Sequence, residues 1–123
     1  MRMSPEDAKK ELLRLRRQLT GTDAELGRAL AVPLEEEVGE ESSDQHPGDV
    51  GTATFSRELD LSLQENTERL LSHVDRALEK IEEGTYGMCD HCGRPIEEAR
   101  LGALPYATLC LKDQQELEHL SAL

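Results

Sequence analysis

The sequence predicts an all-α fold, an antiparallel two-helix coiled-coil hairpin with a small cysteine-containing knob and a short terminal helix at its C-terminal end. Three observations predict it. Two stretches of apolar residues repeat at helical spacing, an acidic stretch without that spacing separates them, and all three cysteines follow the second stretch. The chain also has one Phe, two Tyr and no Trp among 123 residues, so it lacks the aromatic side chains on which large compact cores depend.

The first helix is expected to start at Ser4. In Ser4-Pro5-Glu6-Asp7, a capping hydroxyl precedes a proline suited to the first helical position, and two acids follow near the positive end of the helix dipole. Gly21 weakens the helix and favours a kink near Thr20–Thr22, and Pro33 marks the expected end of the helix. The apolar seam of this helix has heptad-like spacing, at Leu12, Leu15, Leu19, Leu26 and Leu30.

The second helix shows the clearest pattern in the chain. Its seam residues step alternately by four and three, which is typical of two packed helices. Gly84 is expected to end the helix, and Glu79, Lys80, Glu82 and Glu83 are expected to face water. The seam consists of Leu63, Thr67, Leu70, Val74, Ala77 and Ile81.

An acidic stretch near 34–51 separates the two helices. It contains Gly, Ser and Pro and almost no apolar periodicity, which predicts a loop at the tip of the hairpin. We therefore expect two regions. Residues 1–84 would form the hairpin with its acidic tip loop, and residues 85–123 would form the knob and the closing helix.

The cysteines have the spacing of a two-knuckle zinc site. Cys89 and Cys92 form Cys-x-x-Cys, and Cys110 follows after the intervening residues 93–109. Three residues later, where a fourth cysteine would complete the pattern, the chain has Asp113. Zinc also accepts a carboxylate oxygen, so three thiolates and one aspartate can complete a tetrahedron. We therefore expect one structural zinc ion in a finger over residues 85–123.

Other interpretations of the cysteine module stay open. His91, inside the first knuckle, could compete as the fourth ligand. The thiols could instead be buried in a metal-free knob held by Ile96, Leu101 and Leu109. A redox role for Cys-x-x-Cys has less support because no βαβ pattern surrounds it. A catalytic zinc ion has even less support, because neither a His-Glu-x-x-His motif nor a general base is evident.

The charge balance restricts the class of partner. The formal net charge is −12, from 26 acidic and 14 basic residues. Proteins that bind nucleic acid need a basic face, so direct sequence-specific binding of nucleic acid is not expected, and a basic protein surface is the natural partner. The odd number of cysteines fits a reducing compartment, and no apolar run reaches membrane length. We expect a cytoplasmic protein without a membrane partner.

Two stretches resemble the DksA/TraR zinc-finger family, and most closely its YteA-like members from Gram-positive bacteria. The family's segment from loop to helix is similar to His46–Leu63, HPGDVGTATFSRELDLSL. Its finger is similar to Glu82–Cys110, EEGTYGMCDHCGRPIEEARLGALPYATLC. The resemblance implies a coiled-coil hairpin with a zinc finger at its base, which agrees with the fold predicted from periodicity and spacing.

The resemblance also implies a function. DksA-like proteins are transcription regulators, not enzymes, and they bind bacterial RNA polymerase by inserting the hairpin through its secondary channel. A gapless count back from Cys89 aligns Asp49 with the second acid of the family's tip and Thr52 with its threonine, whereas His46 replaces the first acid. Asp49 and Thr52 are therefore the candidate partner-binding tip. The alternative for Asp49 is an ordinary turn or helix-capping residue.

The same gapless alignment with the family argues against the alarmone ppGpp as a ligand. The positions where DksA-like proteins use basic residues for ppGpp hold Asn66, His73 and Gln114, none of which is reliably cationic at neutral pH. A second class of function stays open, a zinc-stabilised stress or sporulation-related interaction protein with a different partner. An enzyme has the least support, since neither a nucleophile–base pair nor a phosphate-binding loop is evident.

Overall fold

The structure, a computed structural model, describes residues 4–32 and 47–122, with the side chains of 47–52 and 122 outside that description. Within these residues it contains four α-helices and no β-strand. They are α1 (Pro5–Ala31), α2 (Pro47–Glu83), α3 (Glu98–Ala103) and α4 (Leu111–Ala122). The prediction of an all-α fold with a closing C-terminal helix is confirmed.

Helix α1 begins where the sequence predicts. Ser4 Oγ accepts a hydrogen bond from the backbone N–H of Asp7 at 3.1 Å, and Pro5 occupies the first helical position. The helix then runs through Gly21 to Ala31, and the backbone stays helical at Thr20–Thr22. A single interior glycine costs only about 1 kcal/mol relative to alanine, which does not by itself end a helix.

Helix α2 begins earlier than expected. Its backbone is helical from Pro47, so residues 47–51, which the sequence analysis assigned to the tip loop, belong to the helix. Proline is well suited to the first helical turn because its missing N–H would have no partner there. The remainder of the predicted tip, residues 34–46 with His46, lies outside the described residues.

The end of α2 confirms the role expected for Gly84. This glycine has a φ of 78°, in the left-handed region, and its N–H donates to the carbonyl of Ile81 at 3.2 Å. The N–H of Thr85 donates to the carbonyl of Lys80 at 2.8 Å. The two bonds together form the Schellman motif, which satisfies the last carbonyls of a helix and turns the chain away from its axis.

The described residues fall into two compact units, one up to Gln18 and from Leu70 onward, the other Leu19–Arg69. In the first unit, α1 and α2 are antiparallel. Lys9 pairs with Glu82 at 3.3 Å. Arg16, seven residues later in α1, pairs with Asp75, seven residues earlier in α2, at 2.7 Å, so the two helices run in opposite directions. The fully buried apolar residues of this helix pair are Ala8, Leu12, Val74 and Ala77.

In the second unit, one arginine of α2 caps the end of α1. The guanidinium of Arg57 donates to the carbonyl oxygens of Leu30 at 2.5 Å and Val32 at 2.6 Å. Carbonyls at a helix C-terminus have no partner within the helix, so this contact satisfies them.

Thr67 is buried as a seam residue and donates its hydroxyl proton to the carbonyl of Leu63 at 2.8 Å. Leu63 itself is 45% exposed, so the close-packed part of the α2 seam starts after it.

The apolar seam of α1 agrees with its prediction. Leu12 is buried, and the other four predicted seam leucines are half-buried.

No helix in residues 4–32 and 47–122 is long and apolar enough to cross a membrane. The predicted division of the chain into 1–84 and 85–123 stays a prediction.

Candidate metal centre

The first knuckle is a tight turn held by backbone hydrogen bonds. The N–H of Cys89 donates to the carbonyl of Arg94 at 2.8 Å, and the N–H of Gly93 donates back to the carbonyl of Cys89 at 3.0 Å. Gly93 has a φ of 73°, a conformation that glycine adopts without steric cost. The turn places Cys89 and Cys92 on one side of the loop, so this half of the site follows from local sequence.

The second knuckle combines a loop with the start of a helix. Cys110 immediately precedes α4, and the N–H of Gln114 donates to its carbonyl at 2.9 Å. Asp113 lies in the first turn of α4, where the helix dipole favours an acid. Its Oδ2 lies 3.2 Å from Cys110 Sγ. This half of the site therefore depends on where the helix begins.

The two knuckles meet and bring four ligand atoms together. The N–H of Asp90 donates to the carbonyl of Thr108 at 2.8 Å, which joins the loops. Asp113 Oδ2 lies 3.0 Å from Cys89 Sγ, and Cys92 Sγ lies 3.9 Å from Cys110 Sγ. The ligand atoms of Cys89, Cys92, Cys110 and Asp113 all lie within 4.8 Å of one another.

These distances fit one small metal ion. With Zn–S about 2.3 Å and Zn–O about 2.0 Å, a tetrahedral site needs about 3.8 Å between sulfurs and about 3.5 Å between sulfur and oxygen. The sulfurs of Cys92 and Cys110, 3.9 Å apart, match the first value, and the two sulfur–oxygen distances, 3.0 and 3.2 Å, lie within about 0.5 Å of the second. Four protein ligands would also leave no open coordination position. Such a site stabilises a fold and does not activate water.

His91 does not belong to this group of four. Its Nδ1 lies 3.4 Å from Asp113 Oδ1, whereas Cys89 and Cys110 contact Oδ2, and its side chain is 73% exposed. The residue considered as a competing ligand thus lies beside the aspartate and on the solvent side of the cluster.

The cluster has a negative electrostatic character. Hydrogen bonds from the thiols of Cys89, Cys92 and Cys110 hold the pKa of Asp113 well below its usual range, so its carboxylate is charged. The backbone N–H of Arg94 lowers the pKa of the Cys92 thiol, but the Asp113 carboxylate, desolvation and the other two cysteines together outweigh it, and that pKa rises to about 11. A bound cation reverses this balance, because it favours every thiolate that ligates it.

Apolar packing supports the same residues. Cys89, Ile96 and Cys110 form a buried cluster against which Leu101 and Leu109 pack. Cys92, in contrast, is exposed. The packing proposed for a metal-free knob is thus present together with the metal-ligand geometry, and the two contribute to the same fold.

A charged contact that the sequence analysis did not identify joins the first knuckle to α2. Lys80, expected to face water, is only 2% exposed. Its Nζ donates to the carbonyl of Met88 and lies 2.9 Å from Asp90 Oδ1. The expectation was wrong because Lys80 follows Ala77 by three residues, so it borders the buried stripe of α2. This spacing of three residues from Ala77 was the feature of the sequence that could have indicated the burial of Lys80.

Arg76 completes this anchor. Its Nε and Nη2 donate to the two carboxylate oxygens of Asp90 at 3.1 and 3.0 Å, a bidentate arrangement. Hydrogen bonds from Arg76 and then Lys80 lower the pKa of Asp90. Because Asp90 lies between two of the cysteines, these contacts fix the first knuckle against the end of α2. We call Arg76, Lys80 and Asp90 the finger anchor.

The predicted tip residues are not part of this centre. The backbone of Asp49 and Thr52 is helical in α2, and their side chains lie outside the described residues. Their role in binding a partner therefore stays a prediction.

Comparison with known proteins identifies the family of the finger. The sequence model described as "Prokaryotic dksA/traR C4-type zinc finger" matches residues 84–119. General stress protein 16O of Bacillus subtilis is 37% identical over 110 residues, which is 88% of this chain and 64% of the relative. YteA of the same bacterium is 44% identical over 65 residues, which is 53% of this chain and 27% of the relative.

Two further comparisons extend the similarity to DksA proteins. The RNA polymerase-binding transcription factor DksA of Caulobacter vibrioides is 37% identical over 70 residues, covering 57% of this chain and 49% of the relative. The chain thus spans less than two-thirds of each of these three relatives. The solved structure of transcription factor DksA2 from Pseudomonas aeruginosa matches with a TM-score of 0.66 at 30% identity, over 97% of this chain and 86% of that one. The chain therefore belongs to the DksA/TraR zinc-finger family, and its structural cofactor is zinc.

Proposed function

We propose that this protein regulates transcription by binding bacterial RNA polymerase, with its helix pair inserted through the secondary channel, and that it acts in the cytoplasm without catalysis of its own. The observation that carries the proposal is the similarity to the transcription factor DksA2 over 97% of this chain. The name of the Caulobacter relative, an RNA polymerase-binding factor, supplies the partner. Modulation of initiation by protein contact is the mechanism that such a partner and fold support.

The charge of the chain supports a partner with a basic surface. A net charge of −12 attracts such a surface and repels nucleic acid, so the affinity would come from protein contacts. We accordingly propose no direct sequence-specific contact with DNA and no membrane partner.

Binding to RNA polymerase is expected to be strong at low salt and to weaken as salt is added. Electrostatic attraction between exposed charges is screened, with a Debye length of about 10 Å at 0.1 M and about 3 Å at 1 M salt. The measurement is co-purification of tagged protein with core RNA polymerase over a salt series, with untagged protein as the control for resin binding. Failure to recover polymerase even at the lowest salt would refute the proposed partner.

Asp49→Asn is expected to change transcript levels while polymerase binding stays nearly intact. The substitution removes one negative charge from the candidate tip and preserves side-chain size. In vitro transcription measures the effect, and Glu58→Gln, at an exposed acid of α2, is the matched control. If Asp49 serves only as an acid near the helix N-terminus, the substitution would lower helix stability and leave transcription unchanged. That result would contradict the tip assignment.

We propose that the zinc ion is bound by Sγ of Cys89, Cys92 and Cys110 and by Oδ2 of Asp113. The distances among these atoms and the apolar packing beneath them support this set. The ion would hold the two knuckles together, and the finger anchor would hold the first knuckle against α2. The metal is therefore expected to stabilise the base of the helix pair and to take no part in a reaction.

Asp113→Cys is expected to raise zinc affinity and the unfolding temperature together. Zinc binds thiolates more tightly than carboxylates in such fingers, because sulfur is the softer donor. Metal analysis of protein purified without chelator gives the stoichiometry, and chelator competition gives the affinity. Asp113→Ala, which removes a ligand, should change both quantities in the opposite direction. A stoichiometry near zero in a folded wild-type finger would show that packing alone maintains the site.

We also propose that the regulator acts without a ppGpp site of its own. Two of the three relevant positions have side-chain contacts in the structure. The ring of His73 stacks with Tyr106 at a centroid distance of 6.3 Å, and the amide of Gln114 donates to Glu118 at 3.2 Å. These contacts present no fixed cation of the kind that a phosphorylated nucleotide requires.

A second candidate function is a zinc-stabilised stress protein with a different partner. It is favoured by the similarity to General stress protein 16O over 88% of this chain, and by the replacement of the first tip acid by His46. The same co-purification separates the two candidates, because only the first predicts recovery of RNA polymerase. Identification of other co-purified proteins by mass spectrometry would then name the partner of the second.

A further inference from the structure

The two carboxylate oxygens of Asp113 have different neighbours. Oδ2 lies 3.0 Å from Cys89 Sγ and 3.2 Å from Cys110 Sγ, inside the ligand cluster. Oδ1 lies 3.4 Å from Nδ1 of His91, which is not one of the four ligand residues. The side chain of Asp113 is only 9% exposed, so little water competes for these two oxygens. The carboxylate is therefore oriented by contacts at both of its oxygens.

His91 contacts the site through two different groups. Its backbone N–H donates to Cys89 Sγ at 3.4 Å, and its ring nitrogen faces Asp113. The first contact belongs to the turn of the knuckle and would be made by any residue with a backbone N–H. The second contact needs a side-chain nitrogen at this position. A substitution at His91 can thus remove the ring contact and keep the backbone contact.

We propose that His91 is a positioning residue of the metal centre, which holds Oδ1 of Asp113 so that Oδ2 alone faces the zinc ion. The inference rests on the ligand set proposed above. An aspartate can offer a metal one oxygen or two, whereas a tetrahedral site needs one donor from each of four ligands. A nitrogen beside the second oxygen selects the single-donor mode. It also explains how an aspartate can take the fourth position in a finger built for cysteine.

Side-chain partners of metal ligands usually matter for affinity. Loss of a group that orients a ligand typically costs 10–100-fold in metal affinity. The His91 side chain is 73% exposed, so water can replace part of its contact and the expected loss lies near the lower end of that range. His91→Ala should therefore raise the zinc dissociation constant about tenfold.

The experiment measures zinc dissociation constants of the full chain by competition with a chromophoric chelator. The absorption spectrum of the Co²⁺-loaded protein reports the geometry of the ligands. His91→Ala should weaken zinc binding and shift the Co²⁺ bands, because it removes the ring and keeps the backbone N–H to Cys89. His91→Asn, whose amide nitrogen can occupy the place of Nδ1, should restore most of the affinity and the wild-type spectrum.

The Asp113→Cys background provides the matched control. A cysteine has no second oxygen to orient, so His91→Ala should change the dissociation constant there by less than about twofold. An equal loss in both backgrounds would mean that the ring acts on the knuckle as a whole, and would overturn the inference. No loss in the wild-type background would overturn it as well and leave the ligand set intact. Wild-type protein that takes up no zinc would overturn both, whereas failure to bind polymerase would affect neither.

Discussion

Leu12→Ala is expected to lower the free energy of unfolding by about 3 kcal/mol. Leu12 is fully buried, and two ion pairs between α1 and α2, Lys9–Glu82 and Arg16–Asp75, lie on either side of it along the helix. Its truncation loses apolar burial and leaves a cavity, because the helix backbones on either side cannot close completely around the smaller side chain. Urea denaturation of the zinc-loaded protein, followed by far-UV circular dichroism, measures the change.

Leu13→Ala is the matched control for this experiment. Leu13 is the next residue of the same helix and is 39% exposed. Both substitutions have the same effect on intrinsic helix propensity, so their difference isolates the effect of burial. We expect the control to cost less than about 1 kcal/mol. Equal losses at the two positions would contradict the assignment of Leu12 to the buried seam.

Asp90→Ala is expected to destabilise the protein by about 2–3 kcal/mol through the finger anchor. The substitution leaves the ammonium group of Lys80, 2% exposed, without its carboxylate partner, and a buried charge without a partner is costly. It also removes the bidentate contact with Arg76 that holds the first knuckle against α2. Thermal unfolding of the zinc-saturated protein measures the change.

The control for the anchor is Asp75→Ala. Asp75 also pairs with an arginine, Arg16, but both side chains are about half exposed. Exposed pairs contribute at most about 1 kcal/mol, so this variant should be nearly as stable as the wild type. Lys80→Met in the Asp90→Ala protein should recover part of the loss, since it removes the unpartnered charge and keeps the apolar stem. If the double variant is less stable than Asp90→Ala alone, the anchor does not work through that buried charge.

The elements that depend on neighbouring residues could be predicted from the sequence. Ser4 caps α1 and Gly84 ends α2 because each makes hydrogen bonds within a few residues of itself. The buried positions of α2, from Thr67 to Ala77, follow from the alternating steps of four and three. The start of α2 was placed too late, since the composition around Pro47 suggested a loop although proline is compatible with a first helical turn.

The candidate metal centre was predictable in part. The spacing of Cys89 and Cys92 defines one knuckle, and that of Cys110 and Asp113 defines the other, because each pair lies within about one turn of chain. The position of His91 was not predictable. Whether its ring points to the metal or to the second oxygen of Asp113 depends on how the two knuckles meet, and residues 93–109 separate them.

The sequence by itself determined the helical class, the antiparallel pairing and the cysteine spacing, since these depend on the periodicity of side chains and on local backbone conformation. Only the tertiary structure decided that Lys80 is buried and that Asp90 joins the finger to α2. Lysine carries a long apolar stem with a charged end, so its sequence position at the edge of a seam is compatible with either water or burial. The choice depends on whether a carboxylate from another segment lies within reach, and that is a property of the assembled fold.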